Sequence, residues 1–87
     1  MLKLQGKQYD LFLALFERAG ADVPGSVLLE DVWGDSSLDW NILRVTMFGL
    51  RRTLRNQGSL HVIEPIPYIG YRMMLDHPIP EWALIIP

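Results

Sequence analysis

Apolar residues recur at helical spacing through the first two thirds of the chain and at near-alternate spacing after that. Leu2 and Leu4 alternate with polar neighbours, which predicts a short strand over Met1 to Gln5. Tyr9, Phe12, Leu13 and Phe16 then fall at i, i+3, i+4 and i+7, one apolar stripe on a helix from about Lys7 to Ala19. Gly20 supplies a left-handed stop, and Ala21 to Pro24 reads as a loop because a proline disfavours helix in the residue before it. A second helix starts at Gly25 or Ser26 and ends at Gly34, with Leu28, Leu29, Val32 and Trp33 on its buried face. After the polar link Asp35-Ser36-Ser37, in which Ser36 or Ser37 caps the next helix, a third helix runs from about Ser37 to Asn56. Its core stripe is Leu43, Met47, Leu50 and Leu54.

The period then changes. His61 to Glu64 and Tyr71 to Met74 read as two strands, joined through Pro65-Ile66-Pro67-Tyr68-Ile69-Gly70, a turn stiffened by its prolines. The order is strand, helix, helix, helix, hairpin. That predicts an α+β fold of the winged helix-turn-helix type over residues 1–75, with three helices, a C-terminal β-hairpin wing and a short N-terminal strand. The remaining residues, 76–87, form an apolar tail expected to pack on the domain or on a partner, either a second copy or another protein. Trp82, Leu84, Ile85 and Ile86 motivate that expectation.

Charge alters the picture more through its placement than its sum. The formal net charge is -2. Up to Asp39 the acids Asp10, Glu17, Asp22, Glu30, Asp31, Asp35 and Asp39 outnumber Lys3, Lys7 and Arg18. From Trp40 to Arg72 the bases Arg44, Arg51, Arg52, Arg55 and Arg72 meet one acid, Glu64. A local basic field is what a phosphate backbone responds to. On the third helix Asn41, Arg44, Phe48, Arg51, Arg52 and Arg55 share one side. An arginine there pairs with guanine, an asparagine with adenine, or the arginines hold phosphates. Arg72 at the base of the wing reads equally as a phosphate contact or a surface strand residue.

Other chemistry finds little support. The chain has no cysteine, so it has no disulfide, thiolate metal site or thiol nucleophile, and this fits a reducing cytoplasm. His61 and His77 lack partners at ligand or triad spacing. Glu30 and Asp31 are sequence neighbours and diverge around a helix. No glycine-rich phosphate loop is present. The expectation is a protein that is not an enzyme, needs no cofactor or metal, and does not use a membrane, since no apolar run nears the ~20 residues of a span.

The residues also resemble a known family, the winged-helix effector domain of OmpR/PhoB-type response regulators. The segment Leu4-Gln5-Gly6-Lys7-Gln8-Tyr9-Asp10-Leu11 is similar to its strand end and first helix. Val32-Trp33-Gly34 matches its V-W-G. Leu50-Arg51-Arg52-Thr53-Leu54, followed by Ile63 and then Gly70-Tyr71-Arg72, resembles its L-R-x-K-L and its G-Y-R wing strand, with Thr53 in place of the lysine. The resemblance spans most of the chain. It implies double-stranded DNA as partner, with the third helix in the major groove and the wing at the adjacent minor groove. It also implies a role in transcription regulation, here as a small stand-alone regulator. By position it puts Arg51, Asn41, Val45, Phe48 and Arg72 at the DNA. Several features depart from the pattern: only the last part of the family's opening four-stranded sheet is present, Pro67 stands where the wing usually has arginine, Arg44 replaces a carboxylate, and Gly49 replaces an often basic residue. The alternative from residues alone is a winged-helix adaptor or antagonist that binds a protein of the transcription machinery.

Overall fold

The computed structural model describes Leu4 and residues 6–75. Its elements are α1 (Gly6–Phe16), β1 (Asp22–Pro24), α2 (Gly25–Trp33), α3 (Trp40–Asn56), β2 (His61–Ile66) and β3 (Gly70–Leu75). The expected N-terminal strand and the expected tail contacts lie outside the described residues, apart from Leu4, which packs against the core. The three helices and the hairpin match the sequence reading.

α1 buries a different face from the one its aromatics suggested. Leu11, Ala14 and Leu15 are buried, whereas Phe12 and Leu13 are half-buried and Tyr9 and Phe16 exposed. At ~100° per residue the two stripes lie roughly 160° apart, so α1 is apolar on both sides and periodicity alone could not choose between them. The aliphatic face, with small Ala14 at its middle, meets the other helices. The aromatic face instead builds a ring cluster with the wing: His61 meets Phe12 and Phe16 edge-on, with centroids 5.5 and 5.6 Å away. The helix also ends earlier than expected. From Arg18 the backbone bonds shorten to three residues, Arg18 N–H to Leu15 and Ala19 N–H to Phe16, before Gly20 turns with φ +89°.

α2 ends as its V-W-G predicts. Val32 is buried, Trp33 half-buried, and Gly34 takes the left-handed conformation (φ 74°) while its N–H bonds the Glu30 carbonyl. Lys7 reaches across from α1 and donates to the Val32 carbonyl at 2.9 Å, a cation at the negative end of the helix. Arg18 pairs with Asp31 at 2.8 Å and ties the same two helices.

α3 starts at Trp40, not at Ser37, and its cap is Asp39, whose carboxylate accepts from the Asn41 N–H at 2.9 Å. The serines are engaged elsewhere. Ser37 gives both its hydroxyl (2.6 Å) and its N–H (2.9 Å) to Asp35, and the Ser36 N–H goes to Glu30. Leu43, Met47, Leu50 and Leu54 are all buried, as the stripe predicted. Gly49, otherwise a cost of ~1 kcal/mol to a helix, has a local reason. A Cβ there would lie 2.7 Å from the Gln8 amide nitrogen. Gln8 comes that close while its carbonyl oxygen accepts from the Thr53 hydroxyl at 3.3 Å.

The sheet has three antiparallel strands in the order β1-β3-β2. β1 falls where a loop was expected. Its three residues carry too little pattern to read, and they become a strand because β3 offers an open edge: Asp22, Val23 and Pro24 pair with Arg72, Tyr71 and Gly70. The hairpin strands are longer than predicted, since Pro65 sits within β2. An edge strand tolerates a proline because its missing N–H faces outward. One face of the sheet (Val23, Ile63, Met73) closes the core.

Candidate nucleic-acid interface

The surface begins with what α3 does not bury. Its core stripe occupies one side of the helix. Around the circumference from Arg51 through Arg44, Arg55, Phe48, Asn41 and Arg52 to Val45 lies a continuous arc of about 120°. All seven are the residues singled out from sequence. Six are exposed, with Val45 at 64% and Phe48 at 69%, while Arg51, nearest the core stripe, is half-buried. Large apolar groups that stand this open in the midst of arginines are not contributing to the fold.

Arg51 and Arg55 also line a shallow cleft of about 260 Å³ between the end of α3 and β2, with Ser59 and His61 on its far wall. A second depression runs along Phe48, Arg51, Arg52, Arg55 and Asn56. The cationic arc thus continues toward the root of the wing. At the other end of α3, the Trp40 indole lies against Gly25; a Cβ on Gly25 would come within 2.6 Å of two ring carbons.

The electrostatic state of the bases separates them into two groups. Lys7 is bound to the end of α2 and Arg18 to Asp31. Arg72 lies between two carboxylates, Asp22 at 3.5 Å and Glu64 at 3.6 Å. By contrast, none of Arg44, Arg51, Arg52 and Arg55 has an acidic partner among the described residues. α3 itself carries no acid, and the neighbouring carboxylate, Asp39, serves as its cap.

Arg72 is therefore not gathered with the α3 group. It is on the central strand, and both acids stand directly across from it in the register, Asp22 on β1 and Glu64 on β2. It holds the wing to the rest of the sheet. The G-Y-R segment acquires a physical reading from this. Gly70 is required because a Cβ there would lie 2.0 Å from the Val23 carbonyl oxygen and 2.8 Å from the Gly25 nitrogen. Tyr71 packs against the core, and Arg72 clamps both flanking strands.

That Trp40, at the start of α3, covers the second helix was legible in the sequence; the bond from Gly25 to the Ile69 carbonyl at the wing tip was not. Sequence reasoning also missed the backbone of Tyr68, which has φ 65° at the tip. The pattern Ile66-Pro67-Tyr68-Ile69 held no signal for it, since tyrosine is not a residue that favours a positive φ.

A family model described as the C-terminal domain of transcriptional regulatory proteins matches residues 1–73. The chain belongs to that family. The OmpR/PhoB-type effector domain that the motifs resembled is thus its established kinship, and the three helices and three-stranded sheet are its winged-helix fold. This is a family of DNA-binding transcription-regulator domains, not of enzymes. Among curated proteins, the chain is 35% identical over 66 residues to the transcriptional regulator HilA of Salmonella typhimurium and, equally, to that of Salmonella typhi. The match takes in 76% of this chain and 12% of HilA, so the chain corresponds to about an eighth of that regulator's length. The DNA-binding domain of Bacillus subtilis CssR superposes with a TM-score of 0.71 at 27% identity, over 84% of this chain and 80% of that one. The DNA-binding domain of the response regulator AdeR, solved in complex with an intercistronic region, gives 0.72 over 88% and 79%; at 22% identity it speaks for the fold. No described helix of the effector domain is long and apolar enough to cross a membrane.

Proposed function

We propose that this effector domain binds double-stranded DNA as part of a transcription regulator, with α3 in the major groove and the β2–β3 hairpin as the wing. The observation that carries the reading is the set of four α3 arginines without acidic partners among the described residues, while Lys7, Arg18 and Arg72 are each engaged. Leaving four guanidiniums clustered and uncompensated on one helix is unfavourable through self-repulsion, and a polyanion relieves it. At 17 residues, α3 is about 25 Å long, and the major groove, about 12 Å wide, admits an α-helix.

Within this reading the side chains divide by position. Arg51 and Arg55, continuing into the cleft beside the wing, hold phosphates and fix register. Asn41, Arg44 and Arg52 have the donors to read base edges, and Val45 and Phe48 offer apolar contact to thymine methyls. Arg72 supports the interface by bracing the wing.

The test is a titration of a fluorescent random-sequence duplex at several salt concentrations, comparing wild type with Arg51→Ala/Arg55→Ala. Each phosphate contact contributes about 0.9 to the slope of log affinity against log salt. The double variant is expected to bind far more weakly and to flatten that slope by about 1.8. A folded wild-type protein that binds no duplex at low salt would refute the proposal and point to a protein partner for the arginine arc.

A further inference from the structure

Phe12 and Phe16 stack on the surface of α1 with ring centroids 5.9 Å apart, and His61 meets both edge-on. The cluster is joined but open. Phe16 is 50% exposed and Tyr9 48%, while Phe12 and Leu13 are half-buried. Tyr9, Phe12 and Phe16 fall on one side of the helix. Single apolar residues on a surface need no explanation, but a contiguous aromatic face marks a place where something packs. These side chains are uncharged, so they give a phosphate backbone nothing to hold. The duplex proposed for α3 does not account for them.

What lies near the face indicates what covers it. β3 ends at Leu75, directly opposite His61 in the register, so the chain leaves the described domain beside the ring cluster. Residues 76–87 follow. They include Trp82, Leu84, Ile85 and Ile86, and residues 82–86 carry no charge. Trp82, Leu84 and Ile86 are alternate residues, which an extended chain presents to one side. Trp82 is seven residues beyond Leu75, a reach of up to about 23 Å. From Phe16 back to Tyr9 the face measures about 10 Å along α1, well within that reach. Pro78 and Pro80 disfavour helix in the residues before them, and an extended connection reaches furthest.

We propose that residues 82–86 dock on the aromatic face of α1 in the same chain, with Trp82 against Phe12 and Phe16. A short tether presents its segment at a millimolar effective concentration, which favours the chain's own segment over a second copy. Docking also bears on the wing. It closes over the rings that hold His61, and His61 lines the cleft shared with Arg51 and Arg55. The segment thereby braces the root of the wing. The inference does not depend on the DNA reading.

The test uses the whole chain. In nuclear Overhauser spectra of the wild type, the Trp82 indole is expected to give cross-peaks to the Phe12 and Phe16 rings that persist on dilution. Trp82→Ala is expected to lower the melting temperature by on the order of 5 °C. In a Phe16→Ala background the same substitution is expected to cost less than half of that, because residues in contact are not additive. Absent cross-peaks, or a melting temperature unmoved by Trp82→Ala, overturn the inference. Equal losses in the two backgrounds overturn it as well, since the segment then packs elsewhere. Cross-peaks that fade on dilution, as the sedimented mass falls from two copies to one, assign the face to a second copy and overturn the docking within one chain. Cross-peaks from the rings to residues outside 82–86 in place of Trp82 overturn the choice of segment. If Phe16→Ala does not fold, the wild-type cross-peaks decide alone.

Discussion

Gly70→Ala is the most demanding test of the wing's attachment. The added methyl would lie 2.0 Å from the Val23 carbonyl oxygen, 2.8 Å from the Gly25 nitrogen and 3.0 Å from the Pro24 carbonyl carbon. All three are backbone atoms, so no rotamer change relieves the contact. β1 and β3 must part by about 1 Å at that end to reach the 3.0 Å below which real contacts essentially never fall. Parting them endangers the Gly25 to Ile69 hydrogen bond and the Pro24–Gly70 end of the β1 ladder. Overpacking of this kind costs about 1–3 kcal/mol, and each lost hydrogen bond about 1 kcal/mol. The expected loss is therefore about 3 kcal/mol, against a stability of about 4–13 kcal/mol for a chain of this size. Gly25→Ala is the control. It meets the Trp40 ring at 2.6 Å, but that ring is a side chain, 40% exposed, and it can swing outward for about 1 kcal/mol. Urea denaturation followed by far-ultraviolet circular dichroism measures both. If Gly70→Ala lost less than Gly25→Ala, or under about 1 kcal/mol, the account of the β1–β3 joint would be wrong.

Three other expectations follow from particular contacts. Asp39→Ala removes the observed cap of α3 and is expected to cost about 1 kcal/mol in the same denaturation assay, while Ser36→Ala, which caps nothing, changes little. Arg72→Gln loosens the clamp between Asp22 and Glu64. All three side chains are more than a third exposed, so solvent screening limits the loss to about 1 kcal/mol or less, and duplex affinity falls less than in Arg51→Ala. Equal losses of affinity in those two variants would show Arg72 to be a direct DNA contact. The hydroxyl and N–H of Ser37 hold the Asp35 carboxyl below its ordinary value of 3.8. A depressed carboxylate stabilises the turn above its unfolded value and loses that contribution as pH falls through the folded one. In Ser37→Ala the Asp35 titration, followed by NMR, is expected to move up toward the ordinary value. An unmoved titration would mean that the hydroxyl does not set it.

The sequence carried its information where one physical requirement acted alone. α3 is polar on one side and aliphatic on the other, so its period revealed both the core stripe and the arginine arc, and both are as read. α1 is apolar on opposite faces, and its aromatics attracted attention that belonged to Leu11, Ala14 and Leu15. The cap of α3 was misplaced by three residues or fewer, because serine and aspartate are equivalent candidates until Asp35 is seen to occupy Ser37.

By itself, then, the chain determined three helices, a hairpin, the α3 core stripe and the clustering of positive charge, because each is a matter of local period and composition. Tertiary structure decided the rest. It made Asp22–Pro24 a strand by offering the edge of β3, set Arg72 between two carboxylates by pairing β3 with a strand on either side, and required Gly70 by bringing another backbone within reach. It also left the α3 arginines without acids among the described residues while engaging Lys7, Arg18 and Arg72. Each of these depends on which distant residue comes within a few ångströms, and no local period encodes that.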